Sequence, residues 1–335
     1  MQDNFQVGGQ STTALFTLTL HRGEGMCLIA MNWKNGKPTD NFVGFAIEYK
    51  EPGVMQFYAL KNRLCFPGSS KAKDPNVGST LHSPIQKFRW VHFPRNAELR
   101  GEFTYRVTPV FMNDKKELSY GDPQTADIVL QRETYPGKLN ITFTRGFVSS
   151  QAFVDNYLPD GTINKLIPPT ASEGLSFQPT HPDAEKALPW MGFEAYKAIL
   201  DVLDKGLADK EAQVKVIAYD FNEPDIVNRL IKLGSRLKVI IDDSGTHKPL
   251  TSAESKAEKM LVASAGRDHV LREHMGSLQH NKTIVVNGPN IKSVVCGSTN
   301  LSWRGFFVQN NNAVILTGAK PVKVFSDAFD NFWYH

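Results

Sequence analysis

The sequence has few cysteines, no long apolar run and little net charge, and each shortage excludes a class of protein. Its three cysteines stand apart with no paired spacing, which argues against a disulfide framework and a zinc knuckle: Cys27, Cys65 and Cys296. No apolar stretch is long enough to cross a bilayer, and the first residues show no basic region followed by an apolar core. We therefore expect a cytoplasmic protein of a reducing compartment.

The charge and composition are those of an ordinary globular protein. The 38 basic and 34 acidic residues leave a formal charge of +4, which attracts anions only mildly and does not separate nucleic acid from phospholipid as a partner. With 41% hydrophobic and 21% charged residues, neither disorder nor a fibrous repeat is indicated. A length of 335 residues predicts two domains.

Residues 1–146 have the pattern of an all-β domain. Short stretches rich in β-branched and aromatic residues alternate with Gly, Pro, Asn and Asp, as in a β-sandwich: TALFTLTL, MCLIAMNW, FVGFAIEYK, QFYAL, FRWVHF, EFTYRVTPVF and KLNITF. Phe103, Tyr105 and Val107 fall on one face of their strand, the period of a half-buried strand. This strand and the Trp90 strand before it resemble a fibronectin type III module, so we expect an accessory sandwich of the fibronectin III or immunoglobulin type.

The pattern changes after residue 146. Residues 147–175 lose periodicity and gather Ser, Pro and Gly, which predicts a linker. From 176 to 335 the pattern predicts an α/β domain, with a mixed sheet flanked by helices: a helix over GFEAYKAILDVLDKGL, a buried strand VKVIAYD, a helix over EPDIVNRLIKLGS and a second strand LKVIIDD. This β-α-β unit predicts parallel strands, and a long helix is predicted over SKAEKMLVASAGRDHVLREHM.

Residues 280–316 carry the chemistry. The spacing predicts a strand holding His280 and Lys282, a turn at Asn287, a second strand SVVCG, a polar loop GSTN and a further strand AVIL. Because side chains alternate along a strand, the imidazole and the ammonium are expected to point to the same face.

Such a set of groups suits the cleavage of a phosphodiester. That reaction needs a nucleophile that forms a covalent intermediate, a cation for the phosphoryl oxygens and hydrogen-bond donors for the developing charge. His280 is the candidate nucleophile and Lys282 the candidate phosphate clamp. Ser298 and Asn300, which follow Gly297, are the candidate donors.

The same residues resemble the signature of the phospholipase D superfamily, His-x-Lys, four residues, Asp, and later Gly-Ser-x-Asn. The sequence has His280, Lys282 and then Asn287 at the Asp position, followed by Gly297, Ser298, Thr299 and Asn300. With the β-α-β unit before them, the resemblance covers roughly residues 185–335. It implies a phospholipase D-like domain that needs no metal or cofactor and works through a phosphohistidine.

The resemblance also implies a partner. In that family two repeats face each other, one histidine attacks phosphorus and the other protonates the leaving oxygen. This sequence holds one copy of the motif, so we expect a second catalytic repeat from a homodimer mate or from a missing C-terminal half.

Two positions depart from the family pattern. Asn287 replaces the Asp, as also happens in tyrosyl-DNA phosphodiesterase, and Asn311 stands where many relatives have a Glu that orients the histidine. An Asn carbonyl can fix the tautomer of an imidazole, but it provides no charge to stabilise an imidazolium. His280 is therefore expected to be a better nucleophile than acid.

Several alternatives stay open at this point. The substrate is a phospholipid, in hydrolysis or phosphatidyl transfer, or else a nucleic acid cut by an endonuclease; a third alternative is a non-catalytic or regulatory half. Each candidate residue also has a purely structural interpretation. Gly297 to Asn300 and Asn287 could simply form turns, and His269 and His274 could lie on a solvated helix face. Asp242 and Asp243 could belong to a polar loop, and Trp303, Phe306 and Phe307 could pack in the core or form a stacking surface.

Overall fold

The computed structural model describes residues 5–23, 25–67, 78–97, 99–131, 133–146, 153–154, 157 and 163–334. The chain divides into two compact units, residues 1–136 and residues 137–335.

The N-terminal unit is all-β, as predicted. One antiparallel sheet has the order β1-β2-β3-β6, and in the other the order is β5-β4-β7, with β8 and β9 both pairing with β7. The strands are β1 (Gln6–Gly8), β2 (Phe16–Gly23), β3 (Met26–Trp33), β4 (Phe42–Lys50), β5 (Tyr58–Ala59), β6 (Arg89–His92), β7 (Glu102–Met112), β8 (Leu118–Tyr120) and β9 (Gln124–Val129). Alternation places Phe16, Leu18 and Leu20 in a core shared with the inward residues of β7.

Three of these strands were not predicted. β1 and β8 are only three residues long, too short to give a pattern. In β9 every second residue is buried, but one of the buried residues is polar, so the sequence shows no alternation of apolar and polar residues. Whether the unit is of the fibronectin III type stays a prediction.

The predicted end of the sandwich at residue 146 is wrong. The strand in KLNITF, β10 (Leu139–Phe143), pairs antiparallel with a strand near the C-terminus and so belongs to the second unit. Local sequence specifies a strand but not the sheet it joins, because pairing partners lie far away along the chain. Part of the predicted linker, residues 147–175, lies outside the described residues; in the described part, Phe153 and Leu166 are fully buried in the C-terminal core rather than exposed.

The C-terminal unit is built on a seven-stranded mixed sheet of order β10-β16-β15-β14-β11-β12-β13. The further strands are β11 (Gln213–Ala218), β12 (Leu237–Ile241), β13 (Val270–Arg272), β14 (Thr283–Asn287), β15 (Lys292–Gly297) and β16 (Asn312–Thr317). The helices are α1 (Ala184–Ala208), α2 (Pro224–Leu233), α3 (Ala253–Ala265), α4 (Trp303–Phe307) and α5 (Ala319–Tyr334). The α/β fold class and the parallel pairing of β11 with β12 are confirmed.

Helix α2 begins and ends where its sequence predicts. Pro224 occupies the first turn, where a missing N–H costs nothing, and the Glu223 side chain accepts a hydrogen bond from the Ile226 N–H at 2.8 Å. Gly234, with φ of 58°, ends the helix. The buried face of this helix, which includes Ile226, Val227 and Leu230, packs in the core of the C-terminal unit.

The long helix predicted over residues 255–275 is wrong in its second half. Helix α3 ends at Ala265 because Gly266 adopts a φ of 99°, and β13 then pairs parallel with β12. His269 and His274 therefore do not lie on a helix face: their Nδ1 atoms bond to the Leu237 carbonyl at 2.7 Å and to Asp243 Oδ1 at 2.8 Å. In the part of the chain that the structure describes, no helix is long and apolar enough to cross a membrane.

Candidate active site

The ends of three neighbouring strands bring the candidate residues to one edge of the C-terminal sheet. β11 and β14 are antiparallel with Ile217 opposite Thr283, so the end of β11 lies beside the start of β14. β15 ends at Gly297, opposite Ala313 at the start of β16. The chain segments that continue from these ends carry the side chains of the site.

His280 lies just before β14 rather than on it, so the prediction of a strand carrying His280 and Lys282 is corrected: the strand begins one residue after Lys282. His280 is exposed, and its ring meets the Tyr219 ring edge-on with 4.6 Å between centroids. Among the described residues its ring nitrogens have no hydrogen-bond partner. The imidazole is thus held by an aromatic contact and is accessible to a ligand.

Lys282 is buried beside the same aromatic ring. It is 8% exposed, its Nζ lies 5.1 Å from the Tyr219 ring centroid, and it donates to the His280 carbonyl at 2.6 Å. Burial lowers the pKa of Lys282, and the nearby Asp220 carboxylate partly opposes that effect. An ammonium has three donors and this one uses a single one among the described residues, so it can also bind phosphoryl oxygens.

The polar loop after β15 lies at the same edge. Gly297 has a φ of 136°, and a Cβ there would lie 2.6 Å from the Asn312 carbonyl oxygen, so the turn requires glycine. The Ser298 Oγ accepts from the Asn312 N–H at 3.0 Å and keeps its own proton to donate. The Asn300 side chain is 7% exposed and donates through Nδ2 to Asp220 Oδ2 at 3.0 Å, while its Oδ1 is buried without a partner.

The two positions at which the sequence departs from the family pattern do not reach His280. Asn287 ends β14 at the opposite edge of the sheet, where its exposed side chain accepts from Lys292 at 2.9 Å. The Asn311 amide donates to the Gly305 carbonyl at 2.9 Å, and among the described residues it makes no hydrogen bond to His280, so its supporting role stays a prediction. Asn287 instead precedes the hairpin loop that joins β14 to β15.

A buried ionic cluster behind the site was not predicted. His247 is bonded between two carboxylates: its Nδ1 lies 2.7 Å from Asp242 Oδ2 and its Nε2 lies 3.0 Å from Asp220 Oδ1. Its ring also meets Tyr219 edge-on at 4.7 Å, so one phenol ring contacts both histidines. We call Asp220, Asp242 and His247 the acidic clamp.

The two carboxylates of the acidic clamp favour the protonated form of His247. Burial alone would lower the pKa of His247, but the bonds to Asp220 and Asp242 outweigh it and raise the pKa to about 9. Burial would raise the pKa of Asp242, but hydrogen bonds from Ser244, His247 and Gln279 lower it. Both ring nitrogens of His247 face carboxylates, which suits an imidazolium better than a metal ligand, and no metal-binding group of His, Cys, Asp and Glu occurs among the described residues.

The acidic clamp also fixes the chain next to His280. Gln279, which precedes His280, donates its N–H to Asp242 Oδ1 at 2.8 Å, and its Nε2 donates to the Ala218 carbonyl at 2.9 Å. Asp242 was interpreted from sequence as part of a polar loop, yet its side chain is fully buried. The signal that could have found it was the position of the acidic residues directly after two parallel strands.

A cavity of about 450 Å³ opens beside the acidic clamp. Its lining includes Asp220, His247, Ser172, Thr251, Glu254 and Arg304. Burial raises the pKa of Glu254, although hydrogen bonding to the Phe221 N–H opposes it. Trp303, Phe306 and Phe307, by contrast, pack in the core and form no surface at the site.

Comparison with known proteins defines the class of this unit. Residues 205–333 match the family described as cardiolipin synthase, PLD-like domain. The C-terminal unit therefore has a phospholipase D-like α/β fold.

Solved structures and curated proteins add little to that assignment. A phospholipase D family member, Nuc from Salmonella typhimurium, is 26% identical over 42% of this chain and 86% of its own, with a TM-score of 0.34. NucT from Helicobacter pylori is 17% identical over 42% of this chain and 89% of its own, with a TM-score of 0.32. A search of the curated proteins gives no match.

Proposed function

We propose that the chain is a metal-independent phosphodiesterase that works through a phosphohistidine, as hydrolase or phosphatidyl transferase. The observation that carries this proposal is that the His280 ring is accessible, has no hydrogen-bond partner for its nitrogens among the described residues, and shares the Tyr219 ring with a buried ammonium. A nucleophile and a cation at one ligand-accessible point are what displacement at a phosphodiester needs.

Each group has a role in the proposed reaction. A His280 nitrogen attacks phosphorus, and the Lys282 ammonium neutralises the non-bridging oxygens. Ser298 donates to the charge that develops on those oxygens, and the second N–H of the Asn300 amide, not used by Asp220, does the same. The phosphohistidine then passes the phosphoryl group to water or to an alcohol.

We propose that a second His-Lys repeat completes the site. Two identical chains that pair through the edge carrying His280, or one longer polypeptide with a second copy, would place a second ammonium against the phosphate. Solution mass tests the first arrangement: a dimer that dissociates when exposed residues beside His280 are changed supports it, and a monomer with full activity contradicts both.

For the substrate we propose a phospholipid or related small phosphodiester, with an endonuclease as the alternative. Arg304, which lines the cavity beside Asp220, forms no ion pair in the part of the chain that the structure describes and so remains available to an anion. Lys292 is engaged by Asn287 at the opposite edge. A nucleic acid backbone would need a row of such free cations, whereas a small phosphodiester needs only a few.

The decisive experiment is His280→Ala assayed on bis(4-nitrophenyl) phosphate in the presence of a chelator. We expect the variant to lose turnover and acid-labile phosphate labelling, because it lacks the attacking nitrogen. His274→Ala is the matched control, since His274 lies at the same sheet edge but bonds to Asp243. Equal activity of His280→Ala and the parent would contradict catalysis and favour a regulatory half.

The same preparation separates the two substrate classes. A lipid enzyme should release headgroup from phospholipid vesicles, and that release should also depend on His280. A nuclease should instead cleave single-stranded DNA, with binding that weakens steeply as salt increases. Cleavage of DNA without action on vesicles would overturn the lipid assignment but leave the chemistry intact.

A further inference from the structure

We propose that Gln279 is the positioning residue of the nucleophile: its side-chain amide fixes the backbone on both sides of His280 and so sets where the attacking imidazole lies. This role rests on the proposed function, in which His280 attacks phosphorus. It belongs to a residue outside the His-x-Lys motif.

The His280 ring has to be oriented through its own chain segment. An attacking imidazole is normally oriented by a hydrogen bond to one of its ring nitrogens. Among the described residues neither nitrogen of His280 has such a partner, and the ring meets the edge of Tyr219 with 4.6 Å between centroids. An edge-on aromatic contact alone lets the ring shift with its backbone. The conformation of residues 279–281 therefore decides where the nucleophile lies.

Gln279 fixes that segment through both ends of its amide. It is 1% exposed, and its Nε2 donates to the Ala218 carbonyl at 2.9 Å. Its Oε1 accepts from the Asn281 N–H, so the side chain turns back across His280. The Gln279 N–H donates to Asp242 Oδ1 at 2.8 Å. One glutamine thereby anchors the residue before the nucleophile and the residue after it.

The point at which Gln279 is anchored sets the ring and the ammonium together. Ala218 is the last residue of β11, and Tyr219, whose ring contacts both His280 and Lys282, follows it directly. The bond to the Ala218 carbonyl therefore holds the His280 segment against the chain that carries this ring. The His280 carbonyl also accepts from the Lys282 ammonium at 2.6 Å. A shift of this peptide would move the nucleophile relative to the proposed phosphate clamp.

The two side-chain bonds need a donor and an acceptor at the end of one side chain. A primary amide supplies both. Methionine has a similar length but no N–H and no carbonyl, and an ionised glutamate keeps the acceptor while it loses the donor. A protonated carboxyl group supplies the donor again. Burial and the Asp242 carboxylate, which accepts from the same residue, would both raise the pKa of a carboxyl group placed there.

The test compares Gln279→Met and Gln279→Glu with the parent on bis(4-nitrophenyl) phosphate in the presence of a chelator. A misplacement of about 1 Å costs about 100-fold in rate, so we expect Gln279→Met to lose ~100-fold in kcat. Its KM should change by less than ~3-fold, because Lys282, Ser298 and Asn300 keep their proposed contacts to the phosphate. The kcat of Gln279→Glu should approach the parent's in acidic buffer and fall relative to it as the pH rises, because only the protonated carboxyl group donates to the Ala218 carbonyl.

Gln124→Met is the matched control. Gln124 is also 1% exposed and donates through Nε2 to the Ser11 and Phe16 carbonyls, each at 2.9 Å, but it lies in the N-terminal unit. The substitution removes bonds of the same kind, so it should lower stability and leave kcat unchanged. An unfolding curve of each variant confirms that the assayed protein is folded.

The outcomes separate this inference from the proposed function. A kcat of Gln279→Met within ~3-fold of the parent's, or an equal loss in Gln124→Met, would overturn the positioning role. So would a loss in Gln279→Glu that is the same at every pH, and that variant decides alone if Gln279→Met does not fold. Full activity of His280→Ala would overturn the proposed function itself, whereas its inactivity beside an active Gln279→Met would overturn only the role of Gln279.

Discussion

Raising the pH through the alkaline range should weaken the C-terminal unit by removing the proton of His247. The folded-state pKa of about 9 lies above the ordinary value of 6.5, so protonation stabilises the fold. This contribution is fully present below pH 6.5 and is lost as the pH rises through 9. Each pKa unit corresponds to about 1.4 kcal/mol, which sets a limit of about 3 kcal/mol.

Solvent reduces that limit. The Asp220 carboxylate is 32% exposed, so water screens one of the two ion pairs, and we expect about 2 kcal/mol. The assay is urea unfolding of the parent and of His247→Gln from pH 6 to pH 10. Because lysines, tyrosines and cysteines titrate in both proteins, the difference between their free energies of unfolding isolates the imidazole. That difference should shrink by about 2 kcal/mol as the pH rises; a constant difference across the range would refute the reasoning.

Three further substitutions test the geometry of the site. Gly297→Ala should destabilise the protein by about 1–3 kcal/mol, because its φ of 136° and the Asn312 carbonyl leave no room for a Cβ. A thermal melt would show the loss of stability, and an activity assay would show whether the loop at the site is displaced. Asn287→Ala should change stability by less than ~0.5 kcal/mol and leave turnover unchanged, since Asn287 lies at the opposite edge of the sheet. Asn300→Ala should reduce turnover by ~100-fold, because it removes a proposed hydrogen-bond donor to the phosphate. If Asn287→Ala proves to be the more damaging change, the placement of the site is wrong.

The sequence predicted the fold class because its signals are local. Continuous apolar runs identify β11 and β12 as buried strands, and Pro224 and Gly234 mark the helix between them. The prediction from sequence was wrong where strand pairing is long-range. The sequence of β10 resembles the strands of the sandwich, and only its pairing with β16 assigns it to the C-terminal sheet. The prediction was also wrong at Gly266, where one backbone conformation ends a helix that the apolar pattern would continue.

The same distinction applies to the site. His280, Lys282 and Asn300 are found from sequence because they lie in a spaced motif, and the structure brings them to one sheet edge. Asp220 and His247 are 27 residues apart along the chain and meet only because two strands end side by side. The sequence shows that Asp220 follows β11 and that Asp242 follows β12. It does not show that both carboxylates bond to His247, because that depends on the conformation of the loop after β12.

The energetics of the acidic clamp favour a functional role for it. Taking two carboxylates and an imidazolium out of water costs several kcal/mol, and a well-packed apolar cluster would stabilise the sheet edge at least as well. Asp242 and His247 are nevertheless almost fully buried, and their bonds lead through Asp220 to the Asn300 amide and through Gln279 to the chain at His280. Because stability alone does not require such a charged cluster, its connections to the Asn300 amide and to the chain at His280 favour a role in the chemistry proposed there.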